Sequence, residues 1–425
     1  MVDELRILHA ADLHIDSPLR GLIAYDGAPT ETIRNATRTA FLALVSEAIN
    51  RKVHLVLIAG DLYDGEWRDY NTGLFVINQL ALLHEAGIPV VIIHGNHDAQ
   101  SNLTKRLRFP PNTKVLSHSH PETYILGEIG VAVHGQSYAT RAVMEDLSLA
   151  YPVASDGFLN IGMLHTCFDG SLGHDPYAPC RLDGLRSKRY DYWALGHVHN
   201  RRILSDDPPI VFPGNLQGRH IRETGPKGAT LVTFVDKEPR LEELTLATVR
   251  WERCQVDVTG VQTFDGCLER CHERLKEICE TGAETYAVRI ELSGITNANG
   301  SLRSDIDRLT NEIRALGLLT KRADVWIEKV QVSTTPARGK ITAEGSILAS
   351  EINGVLAELK NSVSDISNSG DRLLASLSDL RTQLRAAGIS SRDDPLSEER
   401  LSESLDDAAE LLMALLVSKE DQVAD

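Results

Sequence analysis

The chain has no uninterrupted apolar run of membrane length, so a spanning helix is not expected. Nothing near its amino terminus follows the basic, apolar, small-residue order of a signal peptide, and a cytoplasmic protein with no membrane partner is the expectation. Its six cysteines, Cys167, Cys180, Cys254, Cys267, Cys271 and Cys279, form no Cys-x-x-Cys pair. Cys267 and Cys271, one helical turn apart, read as packing residues, and all six as reduced thiols. There is no P-loop, so ATP hydrolysis of that kind is not built into this polypeptide. No internal repeat or long low-complexity run stands out. Positive charge is also short: 44 Lys and Arg face 60 Asp and Glu, a net charge of −16. Such a balance argues against a chain that grips a polyanion through its overall field. At 425 residues the length fits roughly three domains and a sizeable core.

Against these absences, five short polar clusters stand out: Asp12-Leu13-His14, Gly60-Asp61, Gly95-Asn96-His97-Asp98, His165 and Gly196-His197-Val198-His199. Each follows directly on an aliphatic run of strand length: Leu5–Leu8, Val53–Ile58, Pro89–Ile93, Phe158–Leu164 and Tyr190–Leu195. In an open α/β sheet, groups that act on a ligand collect at the carboxyl ends of the strands. A single Asp-x-His or Gly-Asp after a strand is commonly no more than a turn or cap. Five ligand-type clusters, all strand-terminal, predict one converged site.

The donors in these clusters are Asp12, His14, Asp61, Asn96, His165, His197 and His199, with His97 as a further imidazole. Mixed carboxylate, carboxamide and imidazole donors suit first-row divalent ions such as Mn²⁺, Fe²⁺ or Zn²⁺. The absence of a thiolate argues against a closed structural zinc site. Asp61, between the others in sequence, is the natural bridge, since a carboxylate can span two ions. Two ions roughly 3.5–4 Å apart would clamp the attacking and leaving oxygens of an in-line phosphoryl displacement.

The order D-x-H, GD, GNHD, H and GHxH resembles the calcineurin-like metallophosphoesterase superfamily. Longer strings narrow it: ADLHIDSPL over Ala11–Leu19, AGDLYD over Ala59–Asp64 and PGNLQG over Pro213–Gly218. These resemble the bacterial DNA repair exonucleases of the SbcD and YhaO type, relatives of the nuclease subunit of the double-strand-break repair complex. The resemblance covers residues 5 to about 228 and matches the rest more weakly. It implies an α/β fold, a layered β-sandwich flanked by helices, with a small α/β cap domain and a helical C-terminal region. It also implies two divalent metal ions, Mn²⁺ above all. One would be held by Asp12, His14, Asp61 and His199, the other by Asp61, Asn96, His165 and His197. His97 would leave the metals alone, contact the scissile phosphate and assist the leaving oxygen, with Asp98 orienting its imidazole. A poor alkoxide leaving group makes such a proton donor sensible. One departure is informative: eukaryotic and archaeal members commonly carry a histidine three residues after the bridging aspartate. Here that position is Asp64, so that histidine's role does not transfer, and Asp64 is read as an outer acceptor. Of the remaining histidines, His220 is the one that could touch substrate.

The expected organisation is a dinuclear-metal phosphoesterase domain over 1–245, an α/β cap over 250–333 that selects DNA, and an acidic helical region over 342–425. Helices are expected at Thr32–Arg51 and Asn71–Ala86, and further strands at Val131–His134, Ile210–Phe212 and Thr230–Val235. In the cap the expected order is strand Gln255–Val258, helix Phe264–Cys279, strand Tyr286–Leu292, helix Leu302–Leu316 and strand Val325–Val332. Residues 334–341 read as a linker, and apolar stripes at helical spacing follow it. Residues 341–425 carry 17 acidic and 7 basic residues, which leaves a far milder −6 on the rest. Within that rest, basic residues gather beside the motifs: Lys105, Arg106, Arg108; Arg186, Lys188, Arg189; Arg201, Arg202; Arg219, Arg222, Lys227.

The resemblance therefore implies a Mn²⁺-dependent DNA nuclease, a 3′→5′ exonuclease with some endonuclease activity, in DNA repair. Its partners would be DNA, an SMC-like ATPase on a separate polypeptide, and a second copy of the chain in a homodimer. Two alternatives stay open: a phosphodiesterase for a small nucleotide or other phosphoester, and a non-catalytic subunit that binds DNA ends or an ATPase.

Overall fold

Strict alternation along the aliphatic runs decides the layers. In β2 (Leu55–Ala59), Leu55, Leu57 and Ala59 point one way and Val56 and Ile58 the other; β3 (Val90–Ile93) and β1 (Glu4–Ala10) do the same. Both faces are apolar, so both must be covered. On one face lie helices α1 (Thr30–Asn50) and α2 (Tyr70–Glu85), which bury Phe41, Leu44, Val76 and Leu80 against Leu8, Val56, Ile58 and Ile92. On the other face a second sheet supplies Val133, Ile161, Met163, Tyr192 and Ala194 against Ile7, Leu57, Val91 and Ile93.

The computed structural model describes residues 4–18, 28–65, 70–100, 108–168, 178–280, 282–320 and 323–337, with Gly354. The expected helical region over 342–425, the end of the linker before it, and Lys105 and Arg106 lie outside the described residues.

The remaining strands are β4 (Thr113–Val115), β5 (Glu122–Leu126), β6 (Val131–Gly135), β7 (Leu159–His165), β8 (Tyr192–Gly196), β9 (Arg202–Asp206), β10 (Pro209–Phe212), β11 (Gly228–Val235) and β12 (Glu238–Thr245). The first sheet runs β12-β11-β1-β2-β3-β4 and the second β5-β6-β7-β8-β10-β9. Parallel pairing joins β1 through β4 and β6, β7, β8 and β10, while β5, β9, β11 and β12 run antiparallel to their neighbours. The outer face of the second sheet buries Trp193, Leu195, Ile210 and Phe212 beneath the short helix α3 (Leu182–Ser187). The result is an α/β sandwich with helices on both flanks.

The chain divides into two compact units. Of the described residues, one holds those up to Arg253 with Glu277–Arg289 and Thr320–Glu328; the other holds Cys254–Lys276, Ile290–Leu319 and those from Lys329 to Ala337. A three-stranded sheet follows the order β13 (Val249–Asp257), β14 (Thr285–Thr296), β15 (Asp324–Pro336). In the second unit, α4 (Phe264–Cys279) buries Cys267, Cys271 and Leu275 on one stripe. The helix expected at Leu302–Leu316 is two, α5 (Asn299–Ser304) and α6 (Ile306–Leu318). The break is at Asp305, whose side chain accepts from Arg308 N at 2.9 Å and caps α6. All six cysteines are buried with free thiols. Among the described residues no helix is long and apolar enough to cross a membrane.

Candidate metal centre

Register brings the strand ends level. Ala10 lies opposite Ile58, Ala59 opposite Ile93, and His165 opposite Gly196, so β1, β2, β3, β7 and β8 release their chains at one edge. Beyond the strands the loops stay paired: Asp12 N donates to Gly60 O and His14 N to Asp61 O, both at 3.0 Å. Here the backbone turns sharply. Asp12, His14, Asp61 and His197 adopt positive φ of 51°, 45°, 52° and 99°, a region disfavoured for any residue with a Cβ. Such conformations persist only when their surroundings impose them, and they cluster at functional sites. Glycine is required where the imidazole of His165 is enclosed. Gly60, at φ 95°, has no space for a Cβ against His165 Nδ1, nor has Gly95 against Asp61.

All eight side chains singled out from the sequence meet at this edge. Asp12, His14 and His199 form one group of converging donor atoms, and Asp12, Asp61 and His165 another, each group within 4.8 Å. Asn96 Oδ1 stands 3.0 Å from His165 Nε2, and Asp61 Oδ2 lies 3.5 Å from the same nitrogen and 3.9 Å from His14 Nε2. The ring of His197 sits 5.1 Å from that of His165, and its backbone N donates to both oxygens of Asp12 at 3.1 and 2.9 Å. His97 N donates to Asp61 Oδ1 at 2.9 Å, while its ring stands edge-on to that of His14, 4.9 Å away, with Nδ1 at 2.7 Å from Asp64 Oδ1.

The outer partners fix the tautomers. His199 Nδ1 meets Glu223 Oε1 at 2.7 Å, His165 Nδ1 meets Ala59 O at 3.0 Å, and His14 Nδ1 faces Asp64 Oδ1 at 3.6 Å. With Nδ1–H of His199 and His165 directed outward, the Nε2 of each faces inward and presents a lone pair once its ring is neutral. His14 Nε2 and His199 Nε2 then confront each other at 3.3 Å, and His165 Nε2 confronts two oxygens. Nitrogen and oxygen donors converging this closely suit a cation between them, and the donor set fits divalent ions of the first transition row.

The charges agree. Burial pushes the imidazole of His14 down to about 3, with Arg219 adding to the shift, so it is neutral and ready to bind a cation. For His165 burial acts downward too, but the charge of Asp61 and its bond to that carboxylate lift the ring to about 9. Burial alone would raise Asp61; the neighbouring His165, His14 and His97 hold it below the usual carboxylate range instead. Burial also opposes protonation of His97, yet the bond to Asp64 and the charge of Asp61 raise it above an ordinary imidazole. A proton on His165 therefore competes with metal. Since the bound form needs a neutral ring, Mn²⁺ affinity is expected to rise about tenfold per pH unit below about pH 9 and to level off above it. Calorimetry at several pH values would check this, and a pH-independent affinity would remove His165 from the ligand set.

Of the two carboxylates behind the ligands, Asp64 is the outer acceptor expected from the sequence, and Glu223 is new. Glu223, 4% exposed, accepts from His199, from Asn215 Nδ2 at 3.0 Å and from Arg219, and it is held ionised because those bonds outweigh its burial. Its sequence signal is thin, a lone glutamate after the Pro-Gly-Asn turn. Asp64 gathers Ser17, His14, His97 and Arg219. Asp98, expected to orient His97, does something else: its buried carboxylate accepts from the backbone N of Leu62, Tyr63 and Gly95 at 3.1, 3.0 and 3.1 Å. It thus pins the Asp61 loop to the Asn96 turn, and Asp64 holds the imidazole.

Several basic residues near the motifs are structural. Lys227, 5% exposed, donates to His199 O and Asn200 Oδ1; Lys188 donates to Leu149 O and Tyr151 O; Arg201 pairs with Glu243 and Arg186 with Ser205. Arg108, Arg189, Arg202 and Arg222 stand exposed, as does His220. His9 and His134 are buried in bonds to Tyr192 and Asn160.

Two mixed sheets stacked face to face, with carboxylate and imidazole groups gathered at the carboxyl ends of their parallel strands, define a metal-dependent phosphoesterase. Comparison with known proteins agrees. The calcineurin-like phosphoesterase family model matches residues 5–201, and that of the middle domain of metallophosphoesterase YhaO matches residues 251–335. The chain is 35% identical over 298 residues to the metallophosphoesterase YhaO of Bacillus subtilis (strain 168), covering 69% of this chain and 73% of that one. It is 28% identical over 262 residues to the DNA double-strand break repair protein Mre11 of Sulfurisphaera tokodaii, covering 58% and 64%. Against Mre11 of Haloferax volcanii it is 25% identical over 297 residues, covering 68% and 61%. The match spans just under two thirds of these Mre11 chains. This chain belongs to the calcineurin-like phosphoesterases, in the branch of YhaO.

Proposed function

We propose that the protein is a Mn²⁺-dependent DNA nuclease, a 3′→5′ exonuclease that hydrolyses phosphodiester bonds in DNA repair. The observation that carries this reading is His97. An unactivated phosphodiester departs as a poor alkoxide, so its cleavage needs a proton donor near the leaving oxygen. His97 supplies an imidazole that Asp64 holds at 2.7 Å and keeps basic enough to carry a proton, beside the ring of His14 at the edge of the cluster. Asp12, His14, Asp61 and His199 would hold one ion, and Asp61, Asn96, His165 and His197 the other. Such ions, when bound, neutralise charge on the phosphoryl oxygens and lower the pKa of water toward neutrality. Glu223 and Ala59 O keep the imidazoles of His199 and His165 in the tautomer that presents Nε2 inward. The likeness to proteins named for double-strand break repair supports DNA as substrate.

A second reading, a phosphodiesterase for small nucleotides, draws support from charge. Lys188, Arg201, Arg219 and Lys227 are engaged within the protein, so of the described basic residues beside the motifs these four are not available to track a polymer's phosphates. The two separate on labelled duplex DNA and a p-nitrophenyl phosphodiester, each with Mn²⁺. Release of mononucleotides from the 3′ end of the duplex is expected; turnover of the small diester alone would reject the nuclease and keep the phosphodiesterase.

We further propose an SMC-like ATPase as partner, and a second copy of the chain. Exposed Leu42 and Ile49 of α1 with Tyr70, Leu74 and Leu82 of α2 support an apolar docking face for that copy.

A further inference from the structure

Arg219 spans the two carboxylates that stand behind the cluster. One terminal nitrogen, Nη2, donates to Glu223 Oε1 at 2.9 Å, and Nε reaches Glu223 Oε2 at 3.4 Å. The other, Nη1, reaches Asp64 Oδ2 and Ser17 Oγ, both at 3.5 Å. Glu223 is the acceptor behind His199; Asp64 is the acceptor behind His97 and faces His14. The Arg219 side chain is 12% exposed, so little of it is free to meet a substrate. Its backbone N also donates to Glu223, at 2.8 Å, which locks the segment carrying it onto the same carboxylate. A planar, five-donor guanidinium serves both carboxylates in one fixed geometry, whereas a lysine ammonium is a point charge on a flexible stem and cannot hold the two in that register.

We propose that Arg219 is a positioning residue that ties the placement of His97 to the ligand shell. Through Glu223 it holds His199 in its binding tautomer, and through Asp64 it holds the imidazole of His97 over the same cluster. A shift of the His199 side is then transmitted to His97 by one rigid group. The inference rests on the phosphoesterase assignment and on His97 as proton donor, not on DNA as substrate.

The test uses the full chain, Mn²⁺ as the only added ion, and the p-nitrophenyl diester beside a diester with an alkyl leaving group. Arg219→Met is expected to weaken Mn²⁺ binding in calorimetry by about 10- to 100-fold, as loss of an outer partner does. At saturating Mn²⁺ it should lower kcat for the alkyl diester with KM unchanged. Arg219→Lys should regain much of the Mn²⁺ affinity and little of the kcat. In a His97→Ala background, Arg219→Met should still weaken Mn²⁺ binding yet cost no further kcat. Unchanged Mn²⁺ affinity, a loss confined to KM, or kcat losses that multiply with those of His97→Ala would each overturn the proposal. If Arg219→Met does not fold by circular dichroism, Arg219→Lys with and without His97→Ala carries the same comparison. A protein that leaves DNA intact but shows this coupling on the small diesters would sink the nuclease reading and leave the role of Arg219 standing.

Discussion

Asp61→Asn is expected to take the protein from about two tightly bound Mn²⁺ per chain to at most one, and to abolish measurable hydrolysis. The carboxylate lies within ligand distance of both halves of the cluster, at 3.5 Å from His165 Nε2 and 3.9 Å from His14 Nε2. It is also the group whose charge lifts His165 to about 9. An amide of the same shape keeps the packing but loses that charge, so the two cations would face each other with no anion between them. The loss should exceed the roughly 10- to 100-fold that removal of an outer partner produces. Elemental analysis after dialysis, beside diester turnover, reads both quantities. A variant that keeps both ions and its rate would show that Asp61 is not shared.

His97→Ala should lower kcat by about 10²- to 10⁴-fold on a diester with an alkyl leaving group, while metal content stays as in the native protein. The reason for the split is geometric. The backbone N of His97 holds Asp61 at 2.9 Å, and alanine keeps that bond; only the ring bonded to Asp64 is lost. With p-nitrophenolate as leaving group the departing oxygen needs no proton, so the deficit should shrink to a small factor. Equal losses on both substrates would recast His97 as a phosphate contact, and a loss of metal would make it a ligand.

These expectations draw on features that differ in how far they could be read along the chain. The buried parallel strands are legible because β2, β3, β7 and β8 are largely apolar on both faces and the polar clusters come at or just after their ends. The edge strands β9 and β12 are not: both are largely exposed, and Glu238–Thr245 reads as a charged loop until β11 pairs with it, as β10 does with β9. Asp98 shows the limit at the site itself. Its place beside His97 suggested a partner for that imidazole, yet its carboxylate serves the backbone of Leu62, Tyr63 and Gly95. Lys227 is similar, a basic residue near the motifs whose ammonium is buried against His199 O.

The sequence by itself determined the sheet-forming runs, the order of the clusters and the chemistry of their donors, because strand formation and turn formation are local and the donor types are plain from the letters. Only the tertiary structure decided which carboxylate stands behind which imidazole. Asp64 lies 33 residues from His97 along the chain, Glu223 lies 24 from His199, and Arg219 links the two. Contacts of that kind follow from how the loops meet above two packed sheets, and no periodicity or spacing encodes them.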